Sequence, residues 1–113
     1  YFSSGNAYFV EENYNGVAVV KEANGIYYID KIAVLPEVQG EGLARDLITG
    51  IMSSCHKVFW RANPENHINE WYFKLCTGMQ KISSWHVYWS NLNAEEIKGA
   101  IKYAAEKPAD FAG

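Results

Sequence analysis

Ile26–Met52, IYYIDKIAVLPEVQGEGLARDLITGIM, decides how the rest of the sequence is read. Ile26 to Val34 is dense in β-branched and aromatic residues, which suit a pleated, largely buried strand. Pro36 ends that run, because it cannot donate to a ladder and turns Leu35 away from helical angles. From Leu43 the period changes. Leu43, Ala44, Leu47, Ile48, Ile51 and Met52 share one helical face, and Arg45, Asp46 and Thr49 the other. Between strand and helix lie Gln39, Gly40, Glu41, Gly42, Leu43 and Ala44. Two glycines let the backbone turn sharply and present N–H groups with no Cβ in the way. The first turn of the helix adds unpaired N–H groups and the positive end of its dipole, which makes an anion site suited to a diphosphate. A plain strand-to-helix turn accounts for a Gly-x-Gly pair equally well. The spacing fits neither a Walker loop nor the three-glycine dinucleotide fingerprint.

Upstream, Ala7–Val10 and Gly16–Val20 read as short strands, separated by the turn Glu11-Glu12-Asn13. Asn24-Gly25 then supplies a hairpin signal, so three strands form an antiparallel meander with Ile26–Val34 as its longest member. Downstream, Lys57–Ala62 is a strand. Strand, helix, strand implies a right-handed crossover, and this strand should run parallel to Ile26–Val34. In such sheets ligands gather at the carboxyl ends of the strands, where the glycine turn also sits. Glu70–Leu75 reads as a short helix, and Ser84–Trp89 (SWHVYW) as a strand pairing antiparallel at the sheet edge. Asn93 and Glu96 form a capping-box start. Ile97, Ala100, Ile101 and Ala104 then make the apolar face of a covering helix that ends before Pro108. The predicted class is α/β, with a mixed α+β sheet.

A length of 113 residues predicts one domain with a real core, and 49% hydrophobic residues exclude disorder. A net charge of −3 without a basic run argues against nucleic acid as a partner. No apolar stretch approaches the roughly 18 residues that span a bilayer, so no membrane partner is expected. The two cysteines and three histidines show no metal-ligand spacing, and no metal is expected. Cys55-His56 is a weak nucleophile pair, since adjacent residues rarely face one another; two reduced thiols are the plainer reading. Beginning at Tyr1 rather than Met, the sequence reads as the later part of a longer chain.

The order Gln-x-x-Gly-x-Ala, after a long strand and opening an amphipathic helix, resembles the pyrophosphate motif of the GNAT acetyltransferases, matched by Gln39, Gly40, Gly42 and Ala44. Phe59-Trp60-Arg61, Asn66, Ile68-Asn69 and Trp71-Tyr72-Phe73-Lys74, taken with Tyr28-Ile29-Asp30-Lys31, narrow it further. From about Tyr8 to the final helix, these resemble the acetyltransferase domain of vertebrate-type N-acetylglutamate synthase, of the bifunctional bacterial synthase-kinases and of fungal N-acetylglutamate kinase. The resemblance implies a single GNAT domain over residues 1–113 that lacks the usual first strand and helices of that fold. It also implies an amino-acid-kinase domain upstream and a homo-oligomeric full-length protein. The implied compartment is the cytoplasm of a bacterium or the mitochondrial matrix of a eukaryote.

The chemistry so implied is acetyl transfer from acetyl-CoA to the α-amine of L-glutamate, the entry to arginine biosynthesis. Glutamate carries two carboxylates. Lys31, set in an apolar strand, is costly to bury without an anion, and Arg61 ends the neighbouring strand with a fork suited to a carboxylate. Asn66 and Asn69 add neutral hydrogen bonds, or else simply shape a loop. Structural pairings, Lys31 with Asp30 or a neighbouring strand and Arg61 with Glu65, are the alternatives for the two cations. The resemblance gives the acetyl-CoA contacts to the backbone of Ile32, Ala33 and Val34, at a splayed strand pair, and to Gln39, Gly40, Glu41, Gly42, Leu43 and Ala44. It makes Tyr72 the general acid beside the sulfur; its alternative is packing between Trp71 and Phe73. No residue presents itself as the general base. Two other functions stay open: a non-catalytic regulatory GNAT domain of an N-acetylglutamate kinase, and a GNAT enzyme for another amine.

Overall fold

The central strand β3 (Ile26–Val34) has one neighbour of each kind, and that arrangement organises the sheet. The computed structural model describes residues 6–10, 16–34 and 42–107. On one side β3 pairs antiparallel with β2 (Gly16–Ala23), which pairs in turn with β1 (Asn6–Val10). On the other side it pairs parallel with β4 (Lys57–Ala62), as the crossover through α1 (Leu43–Ser54) requires. Then follow α2 (Asn69–Leu75), β5 (Gly78–Lys81), β6 (His86–Ser90) and α3 (Ala94–Glu106). The six described strands form one mixed sheet in the order β1-β2-β3-β4-β6-β5.

The β2–β3 hairpin is tighter than the sequence predicts. β2 continues through Lys21 to Ala23, leaving Asn24 and Gly25 as a two-residue turn with φ of 54° and 82°. Positive φ at both positions matches the right-handed twist of the strands, and Asn-Gly adopts it at low cost. The Gly25 N–H donates to Glu22 Oε2 at 2.8 Å.

Two cores flank the sheet. α1 and α2 cover one face, where Ile48, Ile51, Trp60, Tyr72 and Tyr88 are packed together. On α1 the buried positions are Leu47, Ile48 and Ile51, while Arg45, Asp46 and Thr49 face solvent, as the helical period demands. α3 covers the other face, over Tyr28 and Phe59, with Ala100 and Ala104 buried. Its start is the expected capping box: Asn93 accepts from the Glu96 N–H, and Glu96 accepts from the Asn93 N–H, both at 2.8 Å. A 2.6 Å bond from Lys57 pins the same Glu96 to β4 and holds its carboxyl below the usual range.

One element departs from the sequence reading. The strand expected at Ser84–Trp89 is not at the edge; as β6 it lies between β4 and β5, and the edge belongs to β5. β5 escapes sequence reading because Gly-Met-Gln-Lys is short and has no apolar alternation. Ser84 belongs to the Ser83-Ser84 turn, closed by mutual backbone bonds between Ile82 and Trp85. Gly78 sits opposite Trp89, and a Cβ there would lie 2.5 Å from the indole nitrogen. Gly78→Ala therefore forces the indole or the strand to shift. It should cost about 1–3 kcal/mol, measured as a lower urea midpoint; an unchanged midpoint would mean that the edge yields freely.

Candidate active site

Parallel pairing between β3 and β4 runs from Ile26/Lys57 to Ile29/Trp60 and stops there. Both strands continue, but with their outer neighbours: β3 stays on β2 as far as Val34, and β4 stays on β6 as far as Ala62. The sheet therefore opens into a fork at its centre. The β2–β3 register shows how β3 turns aside. Val19 faces Lys31 while Val20 faces Ile29, so Asp30 is an extra residue on β3. Such a bulge bends its strand and increases the local twist.

A cavity of about 150 Å³ occupies this fork. β3 contributes Asp30, Lys31 and Ile32, β4 contributes Trp60 and Arg61, and Asn66 and Tyr72 complete the wall. Four residues chosen from the sequence as substrate or acid groups (Lys31, Arg61, Asn66 and Tyr72) thus line one pocket. Trp60 belongs to the core under α1 and α2, whereas Arg61 reaches the end of α3, so the pocket is walled from both faces of the sheet.

Asn69 lies outside this lining. Its Nδ2 donates to the carbonyls of Asn63 and Pro64, at 3.0 and 3.1 Å, and its Oδ1 accepts from the Tyr88 hydroxyl at 3.0 Å. The amide that the sequence reading gave to substrate closes the loop that carries Asn66. Asn66 itself accepts from the Ile68 N–H at 3.0 Å.

Arg61 is tied in a way the sequence did not suggest. Its Nη1 donates to the carbonyls of Ala104 and Lys107, each at 2.7 Å, and its guanidinium lies 3.8 Å from the Trp85 ring centroid. The last carbonyls of a helix lack intrahelical donors and carry the negative end of the dipole, so a cation fits there. These contacts tie Arg61 to the end of α3 and to Trp85, and Glu65 is not among them. Asp30 has ion-pair neighbours but no hydrogen bond to Oδ1: its side chain is 7% exposed, with Lys107 Nζ 3.2 Å from Oδ1 and Lys21 Nζ 3.9 Å from Oδ2.

Tyr72 is buried against Trp60 and Tyr88, with ring centroids at 5.5 and 5.3 Å. Burial, and secondarily the neighbouring Tyr88, push its pKa up to about 12. At neutral pH it is a phenol, a donor and not a phenolate. Cys55 is buried with its thiol pushed up by burial, and His56 is exposed, so they do not form a nucleophile pair. Among the described residues no group of three His, Cys, Asp or Glu side chains could hold a metal.

Of the phosphate turn, Gln39, Gly40 and Glu41 lie outside the described residues, as do the turns at Glu11–Asn13 and Leu35–Glu37 and the stop at Pro108. Gly42 is described: it caps α1 with φ 83° and ψ 7°, a left-handed conformation that favours glycine. Leu43 and Ala44 open α1, and Ile32, Ala33 and Val34 form the β3 edge of the fork, beyond its last β4 partner. A larger cavity of about 310 Å³ lies between α3 and the β2–β3 turn, floored by Phe59 and Tyr103. None of the residues chosen from the sequence lines it.

The sheet with its central fork has the fold of the GNAT acetyltransferases. It superposes on an acetyltransferase from Bacillus cereus with a TM-score of 0.64, at 16% identity over 78% of this chain and 74% of the other. It superposes on the PaiA N-acetyltransferase of Thermoplasma acidophilum, solved in complex with coenzyme A, with a TM-score of 0.59, at 10% identity over 77% and 61%. Within that class the chain belongs to the NAT family, the N-acetyltransferase of N-acetylglutamate synthase, whose model matches residues 3–107. It is 31% identical over 111 residues to an acetylglutamate kinase of Xanthomonas campestris, covering 93% of this chain and 26% of that protein. It is 32% identical over 107 residues to the mitochondrial N-acetylglutamate synthase of Danio rerio, covering 91% of this chain and 20% of that protein. The chain thus spans a quarter or less of the Danio relative and about a quarter of the Xanthomonas one.

The Tyr72 environment has a measurable consequence. Its folded pKa of about 12 exceeds the ordinary value near 10, so above pH 10 the folded state keeps a proton that the unfolded chain loses. Stability contributed by this proton is complete below pH 10 and declines between about pH 10 and 12. Denaturant midpoints measured across that window should fall less steeply in Tyr72→Phe. An identical decline would mean that Tyr72 titrates as an ordinary tyrosine.

Proposed function

We propose that this chain forms the acetyl-transfer site of an N-acetylglutamate synthase, moving the acetyl group of acetyl-CoA to the α-amine of L-glutamate. The observation that carries this reading is the fork after Ile29/Trp60, with Lys31, Arg61, Asn66 and Tyr72 around one pocket. Acetyl-CoA supplies an acyl group activated by its bond to sulfur. In this reading the motif Gln39–Ala44 is assigned to the diphosphate; its described part, the left-handed Gly42 and the start of α1, offers backbone N–H groups to it. Along Ile32–Val34 the β3 edge has no β4 partner and offers backbone hydrogen bonds to the pantetheine arm and the thioester carbonyl. Lys31 and Arg61 give the pocket the positive potential a dicarboxylate needs, and Asn66 orients it. Asn69 serves indirectly, by fixing the loop. The Tyr72 phenol, protonated at neutral pH, donates a hydrogen bond to the departing thiolate; at a pKa of about 12 this asks less of it than complete proton transfer.

The name acetylglutamate kinase, borne by the Xanthomonas relative, favours a second reading: a domain joined to an amino-acid-kinase domain and regulating it without turnover. In either case the domain works within a longer, oligomeric protein, in the bacterial cytoplasm or the mitochondrial matrix.

Thiol release from acetyl-CoA, with and without L-glutamate and with aspartate and glutamine as controls, separates these readings. Glutamate-dependent release is expected. Binding of acetyl-CoA without any turnover would replace the synthase with the regulatory module. In the active protein, Tyr72→Phe should lower kcat about 10–100-fold with little change in either KM. Arg61→Ala should raise the glutamate KM and lower the melting temperature together, since one guanidinium serves both the pocket and α3. A loss of stability alone would confine Arg61 to holding the helix.

A further inference from the structure

Asp30 is an anomaly in a pocket meant for a dicarboxylate. Its neighbours in the wall, Lys31 and Arg61, are cations, and a third carboxylate beside a bound dicarboxylate would repel it. Yet the side chain is 93% buried by its 7% exposure, and it stands at the bulge where the ladder opens. Its two partners do not satisfy it. Lys21 Nζ is 3.9 Å from Oδ2, too far for a hydrogen bond. Lys107 Nζ lies 3.2 Å from Oδ1 as an ion pair, but Oδ1 accepts no hydrogen bond. Among the described residues, the buried side-chain atoms without a hydrogen bond are Asp30 Oδ1 and Trp60 Nε1, and both residues line this pocket. A buried acceptor left unmet is costly, so a ligand able to donate to it gains accordingly.

We propose that Asp30 receives the α-amino group of the amino-acid substrate, an inference that rests on the glutamate-acetylating reading above. L-Glutamate carries two carboxylates and one ammonium; the wall carries two cations and one carboxylate. On binding, the ammonium donates to Oδ1, which holds the nitrogen at the mouth of the fork, next to the β3 edge offered to the thioester; the nitrogen attacks as the neutral amine, after one proton has passed to water. Asp30 thereby sets specificity: it admits a dicarboxylate that bears an amine and disfavours one that does not. Lys107 and Lys21 compete with the amine for the carboxylate. A purely structural Asp30 would only tether the end of α3 through Lys107.

The test compares L-glutamate with glutarate, the same dicarboxylate without the amine, in the full-length protein. In Asp30→Asn the glutamate KM should rise about tenfold or more, while the inhibition constant of glutarate holds or tightens and the acetyl-CoA KM is unchanged. Equal weakening of glutamate and glutarate overturns the assignment and leaves Asp30 a tether. Lys107→Met supplies an independent arm should Asp30→Asn not fold. Removing the competing cation should increase the preference for glutamate over glutarate, and an unchanged preference overturns the assignment. Wild-type protein without glutamate-dependent thiol release fails before any variant is made, and overturns the synthase reading itself.

Discussion

A strand that leaves its neighbour must place its backbone polar groups elsewhere, and this sheet depends on how that is done. β3 and β4 separate after Ile29 and Trp60, in the middle of a sheet, where an unmade hydrogen bond is expensive. Each strand keeps its outer pairing, β3 with β2 apart from the Asp30 bulge and β4 with β6, so its outward-facing groups stay bonded and those facing the fork are left open. The opening is thus held by the sheet around it. Had β6 stood at the edge, β4 would have only its parallel partner and that single flank to anchor it. With β5 beyond β6, both sides of the fork are backed by at least two strands.

The charges follow from the opening. Lys21, Asp30, Lys31, Arg61 and Lys107 converge from β2, β3, β4 and the end of α3, in a protein whose net charge is −3. Isolated, each would be costly at this burial. Arg61 settles on the carbonyls that end α3, Lys107 on Asp30, and the guanidinium plane on Trp85. Helix and pocket therefore share the same ionic groups, so a change in one is felt in the other.

Much of this was legible in the sequence because it rests on local signals. The Asn24-Gly25 turn, the α1 stripe of Leu47, Ile48 and Ile51, and the Asn93–Glu96 box each lie within a few residues, where pattern is informative. The crossover and parallel pairing followed from handedness. The convergence of Lys31, Arg61, Asn66 and Tyr72 came from a family resemblance, since nothing in their spacing reveals which loop meets which strand. What escaped was long-range. β5 has no pattern and owes its place to β6; the Asp30 bulge appears only in the pairing with Val19 and Val20; Arg61 finds its partners more than forty residues away, in Ala104 and Lys107. The bonds by which the Asn69 amide closes its loop were one of two readings, because a loop-closing asparagine and a ligand-binding one look alike in sequence.

The strand order also dictates an order of assembly. β6 is made after β5 yet sits between β5 and the rest of the sheet. β5 pairs with β6 as a local hairpin across the Ile82–Trp85 turn, but that hairpin joins the sheet only when β6 closes onto β4, a contact between segments some thirty residues apart. On the ribosome, β1 to β4 with α1 can gather first, as a meander and a crossover of neighbouring segments. The Asn63–Asn69 loop then waits for Tyr88, and Arg61 for the turn of helix that ends at Lys107. The groups that brace the pocket, Tyr88 on its loop and the carbonyls of Ala104 and Lys107 on Arg61, all lie downstream of the residues that line it, so a nascent chain holds the lining before it holds the braces.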